Sequence, residues 1–400
     1  MNAIDSATAA CDHERMPASD FDAIVIGLGG MGSAACYHLA RRGACVLGIE
    51  QFDIPHELGS SHGASRVIRL AYFEDPCYVP LVRRAYELWR DLEQTAGERL
   101  LVTTGGVDMG PPECEGIVGV RVAVAEHQIP HEVLTAAEVR SRFPALNPPD
   151  GHVAIFQAET GFLLPERCVV AHVEAALAAG ADCRARERVL EWRMIGSSPA
   201  DSRVRVTTDR GEYAARRLVI TAGPWLPKLC AELGAHLTIE RQVQAWFRPM
   251  QPEACEVGVM PVFIHHLDDA AYYGIPHFGR PGVKVCRHHG GATVDLETLD
   301  RVPTRADEAD LRGYIRRCLP VVDGPVMGMK VCLYTNTPDG HFIIDRHPRH
   351  PEAVLIAGGF SGHGFKFASV VGEVLADLAL DGCTRHAIEP FRIARPRLQG

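Results

Sequence analysis

Two glycine-rich turns carry the clearest chemical signal in this chain. Gly27-Leu-Gly29-Gly30-Met31-Gly32 fits the pattern G-x-G-x-x-G. In such a turn the first glycine permits the tight bend. The second lets the backbone approach a pyrophosphate, and the third lets helix and strand pack closely. Glu50 follows at the end of the next apolar run, where an acid accepts hydrogen bonds from ribose hydroxyls. Near the other end, residues 358–364 contain four glycines and run through Gly359, Gly362, His363 and Gly364 towards Lys366. Glycines leading into a helix start form an anion cradle. Lys366 stands among apolar residues at that helix start, where the dipole disfavours a cation, so an anion is expected beside it.

These turns need elements to hold them. Residues 23–26 form a short apolar run of the buried parallel-strand kind, 31–42 a helix pattern and 44–49 a second buried strand, giving one βαβ unit. A loop rich in Gly, Ser and His spans 52–65. Helices are expected over 78–95 and 169–179, and strands over 204–208, 212–213, 217–222 and 353–357. A last helix is expected over 368–380. Both ends of the chain therefore read as parts of one α/β domain. The expected fold is a discontinuous Rossmann-type domain (21–105, 160–235 and 325–400) with an inserted α+β substrate domain (106–159 and 236–324) on a mixed or antiparallel sheet. Residues 1–20 read as a loose, disordered extension.

Composition narrows the function classes. Net charge is −9, and no basic face favours a nucleic-acid partner. No apolar run approaches the roughly 20 residues that span a bilayer. The thirteen cysteines are scattered, without C-x-x-C, unlike a secreted disulfide framework. His265-His266, His288-His289 and the run from His341 to His350 match neither HExxH nor a zinc-ligand spacing, so no metal is expected. With neither a signal peptide nor a peroxisomal ending, the expected location is the cytoplasm. The glycine motif and Glu50 alone do not separate NAD from FAD.

The segment His62-Gly-Ala-Ser-Arg66-Val-Ile-Arg69-Leu-Ala-Tyr resembles the flavin-proximal loop of the monomeric sarcosine oxidase and N-methyltryptophan oxidase family of FAD-dependent amine oxidases. So do Tyr272-Tyr273-Gly-Ile-Pro, the Lys284 strand ending at His288, Cys332-Leu-Tyr334-Thr, and Phe360-Ser-Gly-His363-Gly-Phe-Lys366-Phe. The match runs in order from about Phe21 to Pro396. It implies FAD, tethered through a thioether from Cys332. It implies that Lys284 assists oxygen reduction and that Arg69 and Lys366 hold a substrate carboxylate. Arg is suited to this as a planar fork and Lys as a point charge. Tyr273, His288 and Tyr334 would line the substrate cavity, with Arg66 and His62 beside the flavin. Gly30, Met31, Gln51, Val189 and Gly223 complete the expected cofactor-binding set. Arg287, where sarcosine oxidases are expected to carry an aromatic residue, differs; Ala245-Trp246-Phe247 could add bulk near the pocket. These departures bear on the substrate.

The implied reaction is oxidative demethylation of a secondary amino acid of the sarcosine or N-methyl-L-tryptophan kind, giving the demethylated amino acid, formaldehyde and hydrogen peroxide. The expected partners are this small substrate and oxygen, and the expected state is a monomer or small homo-oligomer. Two alternatives are an oxidase of a cyclic secondary amino acid such as pipecolate or proline, and a non-catalytic dinucleotide-binding sensor. An NAD-dependent dehydrogenase is disfavoured, since it would leave Cys332 and the second glycine turn without a task.

Overall fold

The computed structural model describes residues 20–196, 202–234, 236–267 and 270–399. Residues 1–19 of the expected extension lie outside this set, and Asp20 already opens the first strand. That strand, β1 (Asp20–Ile26), explains its own apolar run. Ala23 and Val25 enter one core, with helices on that face, while Ile24 and Ile26 enter another on the opposite face. A strand buried on both faces cannot alternate polar and apolar residues.

Five strands form the parallel centre of the first sheet, in the order Val354–Gly358, Glu212–Ile220, β1, Val46–Ile49 and Asp182–Arg184. Val189–Ile195 and Arg203–Thr208 extend it antiparallel, as does Ile343–Arg346. The first core covers one face with helix α1 (Gly30–Ala40) and the helices Val79–Ala96, Pro165–Ala178 and Ala368–Leu380. Residues 212–213 and 217–222, expected as two strands, fall on one continuous strand, Glu212–Ile220, which ends before Thr221. Its first half pairs with Arg203–Thr208 and its second with Val354–Gly358. The intervening Ala214–Arg216 is an ordinary strand sequence, with Ala214 and Ala215 buried.

The second sheet runs Val326–Asn336, Thr238–Phe247, Val283–His288, Ala271–Ile275, Val262–His266, Gly106–Gly110, Val153–Gln157 and Glu132–Thr135. One face packs Ala245, Phe247, Val283 and Val285 against Leu311, Tyr314 and Ile315 of the helix Arg305–Cys318. Period-two alternation sends Gln242, Gln244, Lys284, Cys286 and His288 to the other face. Val326–Asn336 pairs with Thr238–Phe247 along its whole length. This strand therefore belongs to the second sheet, and the 325–400 segment does not join the nucleotide sheet until Ile343. A small sheet of Arg66–Ile68, Gly161–Leu163 and Leu101–Thr103 lies apart from both. Among the described residues no helix is long and apolar enough to cross a membrane.

Candidate active site

A cavity of about 1060 Å³ extends from the first glycine turn to the second. At one end Gly27 adopts φ +88°, and a Cβ there would lie 2.8 Å from the Thr221 carbonyl oxygen. A Cβ on Gly32 would lie 1.8 Å from the Gly27 oxygen, so helix and turn touch without room for a methyl group. Gly29 is different: its nearest obstacle is Ser61 Oγ at 3.5 Å. The chain itself does not require that glycine, but a group approaching the backbone does. Gly29 caps α1 without a side-chain hydrogen bond, and no acid stands in the first turn. The uncapped helix start therefore keeps its partial positive charge. Glu50 is fixed beside it, accepting from the Leu28 N–H (2.9 Å) and the Phe52 N–H (3.0 Å). Gly30, Met31, Gln51, Val189 and Gly223 also line the cavity. A bare helix start, a backbone-deep cradle and an oriented carboxylate fit an adenine dinucleotide.

Further in, Arg66 donates to the Ser60 carbonyl (2.9 Å) and to Gln244 Oε1 (3.2 Å), and its Nη2 lies 3.4 Å from Cys332 Sγ. Cys332 is buried on the cavity wall. Lys284, His62 and Gly32, all named as site residues from the sequence, do not line the cavity. Lys284 Nζ donates to the carbonyls of Gly63 (2.9 Å) and Ser65 (2.7 Å), so it lies behind the 63–65 turn. Burial, then repulsion from Arg66, brings its ammonium down to about 7. His62 is wholly buried with neither ring nitrogen partnered, and burial holds it neutral, near 3. Gly32 is taken up by its contact with Gly27.

At the far end stand Arg69 and Lys366. Arg69 is 2% exposed. Its guanidinium lies on the cavity wall and is held from two sides: Nη2 binds Glu74 Oε2 at 2.7 Å and Nη1 donates to the Ala71 carbonyl. Burial would raise the Glu74 carboxyl, but Arg69 together with His363, Lys366 and His288 brings the group down to about 2. Lys366 Nζ donates to the His363 carbonyl (2.8 Å) and the Tyr72 hydroxyl (3.2 Å). Burial and then Arg69 lower its ammonium to about 7. Gly362 lets this turn rest on Tyr334, since a Cβ would meet the ring at 2.3 Å. Tyr273, Tyr334 and His288 close the wall, with His288 Nδ1 3.3 Å from the Tyr334 hydroxyl. Burial holds His288 neutral.

Gly27, Gly359, His363, Gly364 and Arg287 also face the cavity, while Ala245, Trp246 and Phe247 do not. Ala245 and Phe247 point into the opposite core, and Trp246 lies under the Arg280 and Lys284 cations. Sequence reasoning missed Glu74, Phe73, Gln244 and Arg301, all on the cavity wall. Glu74 had a signal, an acid five residues after Arg69. Arg301, which donates to the Leu58 carbonyl at 2.8 Å, had none. Among the described residues no group of three or more His, Cys, Asp and Glu could hold a metal ion.

Residues 22–378 match the model of the FAD dependent oxidoreductase family. The monomeric sarcosine oxidase of Streptomyces avermitilis is 43% identical over 94% of this chain and 98% of its own. The N-methyl-L-tryptophan oxidase of Salmonella arizonae is 34% identical over 94% and 99%. The open form of NikD, an unusual amino acid oxidase essential for nikkomycin biosynthesis, superposes with a TM-score of 0.81 at 27% identity, covering 93% of this chain and 97% of that one. With its dinucleotide cradle continuous with a buried cationic pocket, the chain belongs to the FAD dependent oxidoreductase family and, within it, to the monomeric sarcosine oxidase and N-methyltryptophan oxidase branch of amine oxidases.

Proposed function

We propose that this chain oxidises a secondary N-methyl amino acid, with its FAD tethered through Cys332. The carrying observation is the convergence of two buried cations, Arg69 and Lys366, on one end of a cavity whose other end is the bare start of α1. One end suits a diphosphate and the other an amino-acid carboxylate. The relatives named sarcosine oxidase and N-methyl-L-tryptophan oxidase support the substrate class.

A flavin held by the start of α1, Glu50 and the Cys332 wall would supply the two-electron acceptor for the amine and the donor to oxygen. The protein's part is binding, orientation and charge. Arg69 and Lys366 fix the carboxylate, and Tyr273, Tyr334 and His288 bound the space for the amine and its methyl group. The amine must shed its proton before oxidation, because an ammonium has no lone pair. Nearby cations favour that loss. His288, neutral in the wall, leaves Arg69 and Lys366 as the cations that act on the amine. The imine product takes up water and separates into the primary amino acid and formaldehyde. In sum, amine, oxygen and water give amino acid, formaldehyde and hydrogen peroxide. Lys284 supports oxygen reduction as a fixed charge from behind the 63–65 turn. The tether is supported by the position of Cys332, buried on the cavity wall with its Sγ 3.4 Å from Arg66 Nη2. A cytoplasmic setting is in keeping with the described cysteines, all free thiols.

The test is aerobic incubation with sarcosine and N-methyl-L-tryptophan, assaying peroxide and formaldehyde together. Equimolar production of both is expected. Peroxide without formaldehyde from pipecolate or proline would transfer the reading to a cyclic substrate. No peroxide from a broad panel of secondary amines would refute it.

A further inference from the structure

Tyr72 does not line the cavity, yet it touches Arg69, Lys366 and His363 at the cationic end. It is wholly buried. The Arg69 guanidinium lies 4.5 Å from its ring centroid. Its hydroxyl lies 3.2 Å from Lys366 Nζ and 2.6 Å from His363 Nδ1. The direction of these bonds follows from the far side of the imidazole. His363 Nε2 lies 3.0 Å from the Gly340 carbonyl, which can only accept. Nε2 therefore carries the proton, and Nδ1 accepts from the Tyr72 hydroxyl. With its own proton committed to His363, the Tyr72 oxygen is left as an acceptor, and it faces the Lys366 ammonium. Tyr72 and the His363 carbonyl occupy two of the three N–H groups of Lys366. The third has no partner among the described residues, and Lys366 borders the cavity.

We propose that Tyr72 is a positioning residue for the substrate carboxylate: its ring carries Arg69, and its hydroxyl, oriented by His363, turns one N–H of Lys366 into the cavity. This rests on the reading that Arg69 and Lys366 hold a carboxylate. Proton relay is the competing role, and the chain opposes it. A proton passed from Lys366 through Tyr72 would have to rest on His363, which burial holds down at about 4, against about 7 for Lys366. The proton stays on the lysine. The outer end of the line is a carbonyl that can accept no proton from His363 for onward transfer. The charged and titratable groups facing Lys366 are Arg69 and Glu74 from the 69–74 segment, Asp108 from Gly106–Gly110, His288 from Val283–His288, and His363 from its own turn. Of these only Glu74 and Asp108 offset the cations, so a neutral acceptor on the ammonium matters to its charge.

The test uses the FAD-loaded enzyme and acetate as the probe carboxylate, followed by flavin absorbance from pH 6 to 9. Tyr72→Phe keeps the ring and removes the acceptor. It is expected to weaken acetate about tenfold, the usual effect of losing a hydrogen bond to a charged group. It is also expected to move the alkaline loss of binding down by about one pH unit, because the unsupported ammonium gives up its proton sooner. Tyr72→Leu removes the ring as well and is expected to lose roughly a further threefold or more. Unchanged binding in Tyr72→Phe overturns the proposal, as does weaker binding with an unmoved pH profile. Should Tyr72→Leu fail to fold, Tyr72→Phe decides alone. Lys366→Met separates the underlying reading. If it binds acetate like the parent, the carboxylate assignment of Lys366 fails. If it loses acetate while Tyr72→Phe keeps it, only the role of Tyr72 fails.

Discussion

Replacing Glu74 with glutamine is expected to tighten carboxylate binding while destabilising the ligand-free enzyme. Arg69 and Glu74 meet at 2.7 Å with side chains 2% and 16% exposed. Burial would raise the Glu74 carboxyl, yet Arg69 first, and then His363, Lys366 and His288, bring it from 4.5 to about 2. At 1.36 kcal/mol per pH unit that difference is roughly 3 kcal/mol. An incoming carboxylate competes with this pairing for Arg69. Glutamine keeps the shape and one hydrogen bond but removes the charge, so part of that energy becomes available to the ligand. A tightening of about tenfold to a hundredfold in Kd is expected for acetate or sarcosine. Without ligand, the variant leaves a buried guanidinium short of its counter-ion, a loss of roughly 3–5 kcal/mol in comparable cases. Flavin-absorbance titration measures the first effect. Thermal melts with and without saturating acetate measure the second, and acetate should raise Tm further in the variant than in the parent. The acid limb should also change. A depressed carboxyl stabilises the fold above its unfolded value and loses that contribution as pH falls towards about 2, so Glu74→Gln should flatten the decline in this window. Equal or weaker acetate binding in a folded Glu74→Gln enzyme would refute the idea that Glu74 occupies the substrate's place on Arg69.

Lys284→Met should slow reoxidation of the reduced enzyme by about a hundredfold or more, while anaerobic reduction by substrate changes only a few-fold; stopped-flow absorbance separates the two. Cys332→Ala should release its flavin into the supernatant on acid precipitation, where the parent keeps colour in the pellet. Gly32→Ala, whose Cβ would fall 1.8 Å from the Gly27 oxygen, should yield little folded protein. Gly29→Ala, with only Ser61 Oγ near at 3.5 Å, should fold and melt like the unloaded parent but bind FAD more weakly.

The parts of the site that the sequence revealed are those in which local backbone demands residue type. Gly27 needs its positive φ and Gly32 its close contact, so both leave a mark in a few neighbouring letters. The apolar run at 23–26 is equally local, because burial on both faces removes polar residues. What was not legible depends on partners distant in the chain or on direction. The 325–400 segment reads as part of the nucleotide domain, and only the pairing of Val326–Asn336 with Thr238–Phe247 puts that strand in the second sheet. Lys284 carries a matching motif, but nothing in the letters says that its ammonium ends on the carbonyls of Gly63 and Ser65 rather than on the cavity surface. The Arg69–Glu74 pair lies within one short segment, yet a guanidinium can equally bind a ligand or a neighbour. Only side-chain placement tells them apart.

The membership of the Cys332 strand in the second sheet has a consequence for biosynthesis. The dinucleotide turn leaves the ribosome early, with the first strands of its own sheet. The wall that carries Cys332, and the glycine turn beyond it, are made much later. Domains tend to form as they emerge, but here the first sheet lacks a central strand until Val354–Gly358 is made, and the second lacks its edge until Val326–Asn336 is made. The cavity wall that would hold the cofactor is therefore complete only after both the Cys332 strand and the second glycine turn have been made. Once formed, a bond at Cys332 would join a ligand seated on the first sheet to a strand of the second. The flavin would then act as an internal cross-link, and the two layers would melt as one unit.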